Sequence, residues 1–257
     1  MSIASRRALE IALTLLAPAI LLVAWELISR SGRVNQVFWP APSSLWDTTV
    51  EMVREEALFT DIRVSLVRIV GGFLVGSIPG IALGLAMGLS WPVRVFMMPI
   101  ATALYAIPKI ALLPLVIIAL GTGETAKWAI VAISIFFLVA LNTMSGVMTL
   151  DPVYRDVAQN FQASRAQLFF GVALPGAMPA IFTGLRLALG FSLIVIVGTE
   201  VLSPSEGIGA LIWKSYSILA IKKMYVGLIL TAILGWLLIL ALDLVERLVV
   251  PWSRSPS

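Results

Sequence analysis

Long apolar stretches separated by short polar ones set the rhythm of this chain. Apolar residues run almost unbroken over 11–28, and again over about 64–89, 95–120, 128–150, 180–201 and 226–244. An α-helix needs roughly 20 such residues to cross the ~30 Å hydrocarbon core of a bilayer. No stretch keeps the strict polar–apolar alternation of a half-buried strand. The pattern predicts an all-α polytopic membrane protein with about six transmembrane helices. The first, at about 8–29, follows Arg6 and Arg7 and continues into Trp25, Glu26 and Leu27. It is longer than the apolar core of a cleaved signal peptide, so it reads as a retained helix.

The polar segments and interruptions carry the finer detail. Residues 30–61 are polar, and Ser43 or Ser44 can cap a short amphipathic surface helix carrying Leu45, Val50, Met52 and Val53. The second span holds Gly72, Gly76, Gly80, Gly84 and Gly88 at a spacing of four. Such a row lies along one helix face and lets a second backbone approach closely; it suits a helix contact or a substrate groove. The third span is interrupted by Pro99, Pro108 and Pro114. Broken helices at membrane depth are tolerated where they are buried in protein or line a cavity. Asn142 and Thr143 in the fourth span need partners on another helix.

Composition shifts the solvent from water to lipid. The 257 residues are 60% hydrophobic and 12% charged, against about 25% charged in soluble domains. The net charge of +4 fits basic flanks on membrane helices. No basic stripe interleaved with aromatics supports nucleic-acid binding. The chain has no Cys and no His, which excludes thiol chemistry, disulfides, His acid–base catalysis and the usual zinc sites. With no compact carboxylate pair inside the spans either, an enzyme is not expected, nor a metal site or a cofactor in this chain.

Three charges inside or beside the spans are functional candidates. Lys109 follows Pro108 in the broken span and offers its charge to an anion or snorkels to the interface. Glu200, at the far end of the fifth span, serves a path or gate, or pairs at a helix end. Glu26 is most simply interfacial. With Asn142, Lys109 and Glu200 make up the candidate translocation path.

The most informative polar stretch is DPVYRDVAQNFQASRAQLFFGVALPGAMPA, beginning at Asp151. Asp151 caps a helix with Pro152 at its first position, and Val153, Val157 and Phe161 then share one face. Ser164 and Gln167 form a capping box for a second helix, which Pro175 and Pro179 are expected to stop. The hairpin is built either to dock on something or to pack on its own bundle. Arg and Lys divide between both sides whichever way the chain is threaded, so the positive-inside rule does not orient it.

This stretch resembles the EAA loop of ABC importer permeases, whose pattern is E-A-A, three residues, G, nine residues, I-x-L-P. Asp156, Val157 and Ala158 stand at the E-A-A positions, Gln162 where the glycine is expected, and Val172, Leu174 and Pro175 at the end. Gln162 is the clearest departure. The segment KIALLPLVIIALGTGETAKW from Lys109 and the runs GLRLALGFSLIVIVGTEVL and GIGALI resemble the nitrate/sulfonate/taurine subfamily. The resemblance implies a type I ABC importer permease fold. It divides the chain into an N-terminal helix with an extracytoplasmic segment (1–60), a permease domain (61–245) and a short tail (246–257). It further implies a second permease copy, two ABC ATPase subunits that bind ATP and Mg, an extracytoplasmic substrate-binding protein, and an inner-membrane location with both termini cytoplasmic. Residues Val153, Asp156, Val157, Ala158, Phe161, Gln162, Leu174 and Pro175 would form the ATPase-coupling loop, and the cargo would be a small anion such as nitrate, taurine or another sulfonate. The chain has no G-x-x-x-x-G-K-[ST] phosphate loop of its own. The alternative is an ATP-independent secondary transporter or channel.

Overall fold

The computed structural model describes residues 3–54, 57–151, 153–154 and 160–253. Helix α1 is Ile3–Arg30, α2 Pro42–Arg54, α3 Ala57–Leu89, α4 Trp91–Ala106, α5 Leu113–Leu120 and α6 Glu124–Met148. Beyond the polar hairpin come α7, Leu174–Leu202, α8, Ile208–Ser217, and α9, Ile221–Val249. Among the described residues five helices are long and apolar enough to cross a membrane, and six if α4 and α5 count as one broken span. The all-α polytopic reading therefore holds.

Helices α3, α6 and α7 form the centre. Ile69, Ile130, Val131, Leu189 and Ile196 pack at one end of it, and Leu85, Val147, Ala177 and Ile181 at the other. Helices α1 and α9 lie outside, each with only 6% of its span window buried. Their apolar side chains face outward, as expected where lipid or another apolar surface replaces water.

The third span is interrupted as expected, at one point only: its arms Trp91–Ala106 and Lys109–Leu120 are bent by 90°, while Pro99 lies inside α4 and Pro114 in the first turn of α5. Pro108 causes the bend: Ile107 before it is extended, with φ −67° and ψ 131°, because proline disfavours the helical region in the residue preceding it. Pro175 and Pro179 do not stop a helix. A helical turn at Arg165–Leu168 runs through a π-helical turn, Phe169–Ala173, into α7, with Pro175 in its first turn and Pro179 inside it. Membrane helices tolerate an inner proline where local π adjustments satisfy the freed backbone groups, and the π-helical turn just before Pro175 is such an adjustment. The cap of α2 comes from α1: Ser43 donates from its N–H (3.0 Å) and its hydroxyl (2.8 Å) to the Glu26 carboxylate. Finally, Ser203, Pro204, Gly207 and Gly209 read from the sequence as one loop after the fifth span, but Gly209 lies in a helix, since α8 begins at Ile208.

Candidate functional site

Three features stand at three depths of the bundle. The first is a polar lock where α3 and α6 begin and α7 ends. Glu200 is completely buried. Its carboxylate accepts from Arg68 Nη1 at 2.7 Å, from the Ser65 hydroxyl at 2.8 Å and from the Gly209 N–H at 2.9 Å. Arg68, itself buried, also donates from Nε (2.7 Å) and Nη2 (2.6 Å) to the two Glu124 oxygens and from Nη1 to the Glu206 carbonyl (2.6 Å). A planar guanidinium with five donors in a fixed fork can meet two carboxylates and a carbonyl together. Asp61 accepts the Gly207 N–H at 2.7 Å and Ser65 the Ile208 N–H at 2.9 Å. Gly207 has φ +116°, a conformation that favours glycine, and a Cβ there would run into the Glu200 carboxylate. Lys127 reaches the Ser205 hydroxyl at 3.0 Å. The α3, α6 and α7 ends and the start of α8 are thus tied into one unit. The lock saturates Glu200 with donors inside the chain and pairs it at the end of its helix.

The second feature is a cavity of about 480 Å³ at the break between α4 and α5, lined by Tyr105, Lys109, Ser134, Leu138, Phe191 and Ile194 among others. Ser134 and Leu138 lie near the middle of α6, so the cavity is at mid-depth. A water occupies about 30 Å³ of liquid, so a small organic solute fits. The walls are mainly apolar, and Ser134 donates to its own Ile130 carbonyl at 2.6 Å. Lys109 Nζ donates to the carbonyls of Leu104 (2.6 Å), Ile107 (2.7 Å) and Tyr105 (3.0 Å). An ammonium has three donors, and all three are spent on the C-terminal carbonyls of α4, where positive charge also offsets the helix dipole. Asn142 is not in this lining. Its amide donates to the Leu138 carbonyl at 2.8 Å, and its side chain packs against Gly184 of α7.

The third is the hairpin. Asp151 Oδ1 accepts the Val153 N–H at 2.9 Å. The capping box forms: Ser164 N–H donates to Gln167 Oε1 at 2.8 Å and Gln167 N–H to Ser164 Oγ at 3.3 Å. Asp156, Val157 and Ala158 lie outside the described residues. Gln162 has φ +51°, the left-handed conformation that a glycine adopts without cost. Beside it Phe161 is 84% exposed, and Val153 and Tyr154 are exposed as well. Leu174 packs on the lower core, and Pro175 lines a small cavity with Tyr154 and Trp252.

The glycine row lies between α3 and α6. A Cβ on Gly76 would stand 2.7 Å from the Ala132 carbonyl oxygen, one on Gly80 2.8 Å from that of Phe136, and one on Gly72 3.1 Å from that of Trp128. Gly84 meets Ala140 and Thr143, and Gly88 meets Val147. The row is a close helix contact, with a cavity of about 220 Å³ beside Gly76 on the Val75, Ile133 and Phe137 side.

Sequence reasoning missed Arg68, Ser65 and Asp61. They sit just inside the second span, where Arg68 is a charge within an apolar run and carries the same signal that singled out Glu200. At the other end Arg186 Nη2 bridges Asp243 and Glu246 of α9, both at 2.7 Å.

Residues 76–255 match the family described as the binding-protein-dependent transport system inner membrane component. The chain is 32% identical over 248 residues to the taurine transport system permease protein TauC of Escherichia coli (strain K12), covering 95% of this chain and 90% of that protein. It is 33% identical over 248 residues to the nitrate import permease protein NrtB of Synechocystis sp. (strain ATCC 27184 / PCC 6803 / Kazusa), covering 93% and 89%. Among solved structures, a chain of the MetNI methionine ABC transporter in an inward-facing conformation superposes with a TM-score of 0.63 over 72% of this chain and 93% of that one. At 18% identity that likeness is one of fold.

Proposed function

This chain belongs to the family of binding-protein-dependent transport system inner membrane components, and from that premise we propose that, with a second copy of itself, it forms the path of an ATP-driven importer for a small anion. Two cytoplasmic ATPase subunits, which hold ATP and Mg, dock on the hairpins at 151–175, and an extracytoplasmic binding protein delivers the cargo at the opposite end. Both termini then lie in the cytoplasm. Hydrolysis belongs to the partner, and this chain converts its motion into alternating access.

The observation that carries this reading is the hairpin. Its tip exposes Phe161 beside a Gln162 held at φ +51°, and its second arm continues helically into α7. Aromatic residues are enriched among the anchors of protein interfaces, and a continuous helix is a rigid element able to carry a displacement into the membrane. The mid-depth cavity opens on a face carrying Leu104, Tyr105, Phe191 and Ile194, all exposed; a second copy over that face would close the path. The anion class rests on the relatives: the one named for taurine, which bears a sulfonate, and the one named for nitrate. Lys109 puts a positive charge beside the cavity, although its donors are engaged.

The test is a mild-detergent pull-down of the tagged chain from its native membrane, followed by uptake in proteoliposomes. Recovery of an ABC ATPase, and uptake that needs ATP and a co-purifying binding protein, is the expected result. Uptake driven by an ion gradient without ATP would refute it. Lys109→Gln should reduce uptake; unchanged uptake would remove that lysine from the path.

A further inference from the structure

Where α1 ends and α9 begins, a cavity of about 380 Å³ is lined by Arg30, Gln36, Val37, Ser43, Ser44 and Lys222 among others. Its walls are fixed. The Ser29 hydroxyl donates to the Trp39 carbonyl at 2.7 Å, Gln36 Nε2 to the Ser29 carbonyl at 3.2 Å, and the Tyr225 hydroxyl to the Phe38 carbonyl at 3.3 Å. Arg30 pairs with Glu26 and donates to the Ser43 hydroxyl at 2.9 Å, yet its side chain stays 64% exposed. Lys222 is exposed and makes no ion pair with a described residue.

The depth of this cavity follows from the spans. Arg30 is the last residue of one apolar span, and Lys222 is the second of another, Ile221–Val249. Both therefore lie at the boundary of the hydrocarbon, where headgroups are. Phe38, Trp39 and Trp46 are exposed around it, as in the aromatic belts of membrane interfaces. Arg30 and Lys222 against Glu26 leave one positive charge, which matches the single negative charge of a phosphate diester. Below the cavity the outer face of α1 exposes Val23 and Leu27, a surface for acyl chains.

We propose that this cavity is a headgroup site for an anionic phospholipid, with the phosphate between Arg30 and Lys222 and the acyl chains along α1. Basic pockets between membrane helices recognise headgroups by this chemistry. A soluble phosphate offers the same anionic oxygens, but it has no use for the apolar flank or the headgroup depth. The inference rests on the chain crossing a membrane and not on how transport is driven.

The experiment is native mass spectrometry of the chain in mild detergent, with whatever subunits accompany it. It is titrated in turn with phosphatidylglycerol, phosphatidylcholine of the same acyl chains, and inorganic phosphate. One phosphatidylglycerol per chain should be retained in preference to phosphatidylcholine. Lys222→Gln should weaken it about fivefold, Lys222→Arg should keep it, and Arg33→Gln, outside the cavity, should leave it unchanged. Lys222 is exposed, so an unchanged melting temperature will show that the variant is folded. Equal retention of the two lipids, no retention of either, or no effect of Lys222→Gln would overturn the proposal. Displacement of the lipid by millimolar inorganic phosphate would overturn it too, in favour of a soluble anion.

Discussion

Arg68 holds two carboxylates that differ sharply in exposure: Glu200 is fully buried, whereas the Glu124 side chain is 56% exposed. Their loss should cost different amounts. Arg68→Gln strands the buried Glu200 charge, and breaking such a pair costs about 3–5 kcal/mol. Glu124→Gln leaves Arg68 paired with Glu200 and should cost about 1 kcal/mol or less, the range of exposed pairs. Thermal unfolding in one detergent–lipid mixture checks the order; equal losses would mean that the buried pair is not what holds the lock. Gln162 tests backbone conformation instead. At φ +51° a β-branched side chain is disfavoured and glycine is free, so Gln162→Gly should keep ATP-coupled uptake and Gln162→Val should lower it. Part of this was legible in the sequence: a carboxylate in an apolar run marked Glu200, and S-x-x-Q marked the capping box. Its partners were not, because Ser65 and Arg68 lie more than 130 positions away (|i−j| = 135 and 132), and no local pattern joins residues so far apart.

Helices as units were read well where periodicity and length decide, and poorly where proline and glycine do. The spans appear as expected because apolar length alone selects them. The prolines at 175 and 179 misled because their effect depends on what surrounds the freed carbonyls. Gly209 reads as loop because glycines so close to Pro204 punctuate turns; in the fold it lies inside α8 and brings its N–H to Glu200. The five-glycine row, by contrast, signals close approach by its spacing alone. Gly76→Val would drive a side chain into the Ala132 backbone and Ile135, an overpacking that costs about 1–3 kcal/mol or more, with uptake lost as α3 separates from α6. Gly190 in α7 has nothing within 4 Å of its added Cβ. Gly190→Ala should therefore be neutral or stabilise by up to about 1 kcal/mol through helix propensity. Melting temperatures of the two variants decide whether the row, and not glycine in general, sets the packing.

At the scale of the whole molecule the polar lock and the hairpin lie at opposite ends of the same helix, α7. The lock fixes Glu200 near one end of it to α3, α6 and α8, while the hairpin enters at Leu174. Under the proposed coupling, a displacement applied at the hairpin would act on α7 against an end tied to α3, α6 and α8. This predicts a separation of folding from coupling at Phe161. Its ring is 84% exposed, so Phe161→Asp should change the stability of the bundle by no more than about 0.5 kcal/mol. As a docking anchor it should carry about 2 kcal/mol or more of the ATPase interaction, a loss of about thirtyfold in affinity. Insertion and melting temperature should stay at wild-type values while ATPase recovery in detergent and ATP-dependent uptake fall together. If Phe161→Asp keeps its ATPase, the hairpin is not the docking element. If it loses both ATPase and thermal stability, the ring serves the bundle and the lever has to be sought elsewhere.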